Sequence, residues 1–182
     1  MGSRRRASAI CALVLLAAAA SARASETAPL LQQAAPALSE FQRRLGTDVR
    51  ILSLELSPEE ASIAAQDPRN PAHVDRYTYR DGALTGPEPM AVGRNMRQIK
   101  ARSFPLREVD PGILPGIVRA APAAVRAEDG RVTHLLLERS QGWSSETSSW
   151  GRPVWRVHVE GPRGGGYAEF RLDGKRGRVV RW

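Results

Sequence analysis

The sequence predicts an α+β protein made of two αβββ units, each an antiparallel sheet packed against one helix. Three observations carry that expectation. Apolar residues recur at helical spacing ahead of the strands of each half. The runs that follow alternate apolar and polar side chains, the period of a strand buried on one face. The order helix, strand, strand, hairpin then occurs twice, with Asp-Gly pairs at 81–82 and 173–174.

Ahead of both units stands a segment of a different kind. Arg4, Arg5 and Arg6 precede an apolar run from Ala9 to Ala20, and Ser21-Ala22-Arg23-Ala24 follows. A basic start, a short apolar run and an A-x-A site are the three parts of a secretory signal peptide. The run falls short of the roughly twenty residues that cross a bilayer. Residues 1–24 are therefore expected to be cleaved after Ala24, giving a periplasmic or secreted protein with no transmembrane segment. Cys11, the one cysteine of the 182 residues, opens the apolar run instead of following it, which argues against lipid attachment. It leaves with the leader, so thiolate catalysis, disulfides and cysteine metal ligation are not expected of the mature chain.

The formal charge of +8 is partly the leader's. Four of the 27 basic residues and none of the 19 acidic ones lie in 1–24, so 23 face 19 in the remainder. A balance of +4 is mild, and with export it points away from a nucleic-acid partner.

The first unit is assigned to 25–92. Leu30, Leu31, Ala34, Leu38, Phe41 and Leu45 give a helix over Ala28–Leu45, closed by Gly46. Strands follow at Val49–Leu56, Glu60–Ala65 and His73–Arg80, and Ala83–Thr85 begins a return after Asp81-Gly82. Residues 93–106, with Arg94, Arg97, Lys100 and Arg102, read as a basic linker, solvated or a short surface helix.

The second unit is assigned to 107–182. Asp110-Pro111 is an N-cap followed by proline at the first helical position, and Pro122 is expected to kink or end the helix. Gly130 is aligned with Gly46, and Leu52 and Leu54 with Leu135 and Leu137. Strands are expected at Val132–Glu138, Pro153–Glu160, Tyr167–Leu172 and Arg178–Trp182. A Ser/Gly-rich loop is expected at Ser140–Arg152, and a turn at Pro162 and Gly164–Gly166.

The stretches DPGILPGIVRAAPAAV (Asp110–Val125), RVTHLLLER (Arg131–Arg139), PVWRVHVEG (Pro153–Gly161) and YAEFRLDGKRGRVVRW (Tyr167–Trp182) resemble the PepSY-like domain of bacterial exported proteins. The first half is a looser copy, and a tandem pair resembles the joined sheets of β-lactamase inhibitor proteins. The resemblance implies a small inhibitory, chaperoning or ligand-binding module. It brings no catalytic motif and no cofactor.

Against that background the candidate site residues are few. Trp143 and Trp150 flank a polar loop that supplies no core, and large aromatics on loops are binding anchors. Arg156, His158 and Glu160 form the polar side of a strand whose other side is Trp155, Val157 and Val159. His134 and His158 fall on neighbouring strands, but no third ligand stands at a recognised spacing, so no metal site is assigned. No Gly-x-Ser-x-Gly elbow or phosphate loop occurs. The expected activity is therefore binding of a protein or peptide of the cell envelope, not catalysis. The alternatives are a small-ligand or envelope-surface binder, or a hydrolase built from scattered polar residues.

Overall fold

The computed structural model describes residues 29–92, 96–141 and 150–182. The leader, the cleavage site and Trp143 lie outside the described residues. Helix α1 spans 29–45 and turns Leu30, Ala34, Leu38 and Phe41 inward. Four strands follow: β1 (Arg50–Leu56), β2 (Ala61–Gln66), β3 (Val74–Arg80) and β4 (Ala83–Pro89). Helix α2 (Met96–Arg102) and the two-residue β5 (Phe104–Pro105) lead to a 3₁₀ turn over Pro111–Ile113 and helix α3 (Leu114–Val125). Strands β6 (Arg131–Gln141), β7 (Trp150–Gly161), β8 (Gly164–Arg171) and β9 (Arg176–Arg181) complete the chain. No described helix is long and apolar enough to cross a membrane.

The class is α+β, as the patterns require, but each half contributes four strands and not three. All join one antiparallel sheet in the order β4-β3-β2-β1-β6-β7-β8-β9, with β5 paired to the start of β1. At the centre β1 lies against β6, with Leu54 opposite Leu137 and Leu56 opposite Leu135. These four leucines face the same side as Trp155, Val157, Val159, Ala168 and Phe170. That side and the apolar stripes of α1 and α3 form one continuous core.

The local signals explain the element ends. Gly46 has φ +88° and its amide bonds the Gln42 carbonyl at 2.9 Å, a left-handed helix terminus that suits glycine. The corresponding left-handed residue after α3 is Arg126, φ 59°, and not Gly130. Gly130 instead lies where a Cβ would come within 2.8 Å of Val159 and Ala127. Asp110 accepts from the Gly112 amide at 2.8 Å, the cap the sequence predicts, although α-helical geometry begins only at Leu114. Pro122 does not break α3, because it stands in the last turn, where a lost amide costs one bond. The final strand reaches back to this helix. Arg181 donates to the carbonyls of Val125 and Ala124 at 2.7 and 3.0 Å, satisfying groups that a helix terminus leaves without intrahelical partners.

Residues 96–106 do more than span. Ile99 of α2 is buried with Leu52, Ala64 and Val74, on the sheet face opposite the main core. Ser103 is buried, and its carbonyl accepts from Arg50 of β1 at 2.6 Å and Arg139 of β6 at 3.3 Å. Gly164–Gly166, expected as a turn, already belongs to β8, and the turn is Pro162-Arg163. Strands β6 and β7 also extend into the expected Ser140–Arg152 loop from both ends.

Trp155 is fully buried, and its indole Nε1 has no hydrogen-bond partner among the described residues. Trp155→Ala is expected to cost about 3–5 kcal/mol by leaving a cavity. Trp155→Phe abandons no bonded partner and should cost under about 2 kcal/mol. Chemical denaturation of the two variants measures the difference.

Candidate functional site on the open sheet face

Strand alternation sends Arg156, His158 and Glu160 to the side of β7 opposite the main core. Across β1–β3 that outer side carries α2. Across β6–β9 it carries no helix among the described residues. The register then decides which side chains meet. Arg156 stands between Leu136 of β6 and Glu169 of β8, and His158 between His134 of β6 and Tyr167 of β8.

The first row is a charge network. Arg156 pairs with Glu138, and its Nε lies 3.3 Å from Glu169 Oε1. Arg178 of β9 donates to the same Glu169 oxygen at 3.2 Å and to the Tyr167 hydroxyl at 2.8 Å. Glu169 is thereby 8% exposed on a face without a helix over it. Two guanidiniums pair with it there, so the nearly buried acid is not left without partners. Both guanidinium carbons also approach the Tyr167 ring, at 5.6 and 5.9 Å from its centroid.

The second row is aromatic. The rings of His134 and His158 stack with centroids 4.0 Å apart and planes 16° from parallel. His158 lies 5.4 Å from Tyr167 and 6.3 Å from Trp182, and Tyr167 and Trp182 are 6.2 Å apart. Trp182 reaches this row because it pairs with Gly165. A Cβ there would sit 3.4 Å from the Trp182 Nε1 and 2.6 Å from the Val159 carbonyl. Trp182 remains 64% exposed. Burial, then the neighbouring His134 and Arg156, lower the His158 pKa to about 4, so this imidazole is neutral at physiological pH.

The sequence-predicted residues therefore divide. Arg156 and His158 are central to the two rows, and Glu160 is an exposed neighbour of His158 on the same face. Trp150 begins β7 about 20 Å along the strand from Arg156. It is half-buried, with the Arg102 guanidinium 5.0 Å from its ring, so it packs on the end of α2 instead of projecting into solvent. Sequence reasoning missed Glu138, Tyr167, Glu169 and Arg178 as site members. Their alternation with Leu137, Ala168, Phe170 and Val179 was the available indication of a shared outer face.

No group of three His, Cys, Asp or Glu side chains among the described residues is placed to enclose a metal ion. The third histidine, His73, lies before β3 with its ring against Asn70. Two clefts of about 810 and 820 Å³ open elsewhere, one beside the end of α3 at Val118, Pro122 and Val132, the other at Val74, Pro89 and Met90. Neither contains a residue of the two rows.

No protein-family model matches the chain, and no curated protein matches it. Among solved structures, the chain is similar to one described as "a putative lipoprotein" of Clostridium difficile 630. The match has a TM-score of 0.53 at 11% identity, covering 80% of this chain and 90% of that one. It is a likeness of fold.

The His158 pKa sets a pH dependence. Its folded value of about 4 lies below the ordinary 6.5, so the unfolded chain binds the extra proton between those values. Stability from this group is complete above about pH 6.5 and is lost as pH falls toward 4. Urea midpoints at about pH 7.5 and 4.5 should drop more in the wild type than in His158→Gln. Equal drops would mean that His158 is not the group responsible.

Proposed function

We propose that this is an exported, non-catalytic binding module whose open β6–β9 face engages a protein or peptide of the cell envelope. The observation that carries the reading is the asymmetry of the outer sheet face. Helix α2 lids it across β1–β3, while across β6–β9 the aromatic row and the Arg–Glu network form its surface. An exposed tryptophan beside tyrosine and arginine has the composition of an interface anchor. The charges are already paired with one another, so a partner meets aligned dipoles and rings and does not have to desolvate free ions.

The module is read as two PepSY-like units in tandem. Each half runs helix, then a meander of four strands. Leu54 and Leu137, equivalent positions in the sequence alignment of the halves, stand directly opposite each other, as a local two-fold axis between two copies would require. Export rests on the leader, whose basic start and A-x-A site have the form a signal peptidase uses.

A peptide library selected against the protein tests the surface. Selected peptides should lose at least about 30-fold in affinity with Trp182→Ala, and less with Arg178→Ala, whose side chain is more than half exposed. Peptides that bind these variants as well as the wild type, yet lose affinity with Trp150→Ala, would move the site to the end of α2.

Residues 107–182 alone test the two-unit reading. The fragment keeps Leu114, Ile117, Trp155, Val157 and Phe170, but exposes the edge of β6 that β1 covers. It should unfold cooperatively with a marginal stability of a few kcal/mol at most. A disordered fragment beside a folded full chain would instead make the sheet one indivisible unit.

A further inference from the structure

We infer that the cleft beside the end of α3 binds an anionic single-chain amphiphile, a long-chain carboxylate. This goes beyond peptide binding on the open face, to a different ligand at a different place. The cleft holds about 810 Å³, within the range of about 300–1,000 Å³ for sites that enclose small molecules. Leu31, Pro115, Val118, Pro122, Ala123 and Val132 make its walls aliphatic. Among the described residues no aromatic ring or hydroxyl lines it, and its polar side chains are all charged. Such a surface offers neither stacking nor a hydrogen-bonding array. It suits an aliphatic chain with one charged head.

Arg119 and Arg126 set the sign of that head. They stand seven residues apart, about 10 Å, on the same side of α3 as Pro115, Pro122 and Ala123. Neither forms an ion pair among the described residues. Their stems can lie along the aliphatic wall while both guanidiniums reach an anion between them. The acids at the rim are engaged elsewhere, Glu128 with Arg163 at 3.4 Å and Asp129 with a partner of its own. The C-terminal end of a helix ordinarily disfavours an anion, but Arg181 already covers the Ala124 and Val125 carbonyls. Arg126 is also the left-handed cap of α3, φ 59°, where glycine would be less strained. Strain tolerated at a cleft rim fits a side chain kept for binding. The wall itself is fixed in advance. A Cβ at Gly130 would come within 2.8 Å of Val159, and one at Gly161 within 2.5 Å of the Glu128 carbonyl, so the turn after α3 lies directly on β7. The second cleft is of similar size, but it is lined by His73 and Asp75 and by no arginine, so it lacks the charge for this ligand.

Isothermal titration with sodium octanoate, decanoate and laurate, each below its micellar concentration at neutral pH, tests the inference. One amphiphile per chain is expected, with affinity rising about fourfold for each added methylene. Dodecyltrimethylammonium, which carries the opposite charge on a chain of the same length, should bind at least about tenfold more weakly than laurate. Ala123 is exposed, and Ala123→Trp, whose indole would occupy the cleft, should weaken laurate at least about tenfold. Ala91→Trp, in the second cleft, should leave it unchanged. Arg126→Gly separates binding from folding, because it should raise the unfolding midpoint by a few degrees while weakening laurate about tenfold. No saturable binding, equal affinity for the two head charges, or laurate affinity untouched by Ala123→Trp would overturn the inference. Peptide binding is read through Trp182, which is not in the cleft, so either reading can fail without the other.

Discussion

Everything in this fold depends on the pairing of β1 with β6. These strands are far apart in sequence, and each opens its own meander, so their contact converts two small sheets into one. The register is specified by leucine. With Leu54 against Leu137 and Leu56 against Leu135, the main apolar face of both meanders falls on the side that α1 and α3 cover. A slip of one residue would send those leucines to the opposite side and bring Glu55 and Glu138 into the core. The junction segment reinforces the same register, because Arg50 and Arg139, one from each strand, both donate to the Ser103 carbonyl. The small size of each half gives the seam its value. About 75 residues bury too little apolar surface for ample stability alone, and a shared core relieves that shortage.

A sheet with one covered face and two free edges has to keep itself from pairing with other chains. The outer edges here are β4 and β9. Pro87 and Pro89 remove donors from β4, while Arg176, Arg178 and Arg181 line β9 with charge. Neither edge therefore offers an uninterrupted ladder. The composition of the outer β6–β9 face solves a related problem. An uncovered face filled with aliphatic side chains would aggregate, and one filled with free charges would hold its own hydration. Closed Arg–Glu pairs beside stacked rings avoid both outcomes.

Much of this arrangement could be read from the residues, and the unread parts share a cause. Helix α1, the Asp110 cap and the core side of β7 follow from local period and cap chemistry, which act within a few residues. The far half of β4 was lost because Gly86-Pro87-Glu88-Pro89 has the composition of a loop, yet an edge strand tolerates proline. The glycines of β8 looked like a turn, but Gly165 and Gly166 are where neighbouring strands come too close for a Cβ. Ile99 looked isolated in a basic stretch, and only the sheet reveals its apolar partners. Arg156 and His158 were legible from alternation on one strand. Glu138, Tyr167, Glu169 and Arg178 were not, since their meeting depends on the registers of three strand pairs.

The same dependence on register gives the open face its chemical character. Glu169 and His158 occupy adjacent strands, and cross-strand neighbours shape the setting of both. Two guanidiniums pair with Glu169 although it is nearly buried, while burial, His134 and Arg156 keep His158 neutral although it lies on an uncovered face. Arg156 contributes to both effects, as the attractive partner of the acid and a repulsive neighbour of the imidazole. A single side chain in the middle of the sheet thus links the charge row to the aromatic row. Loss of its charge would loosen Glu169 and raise the proton affinity of His158 at once. The two rows are therefore one connected surface.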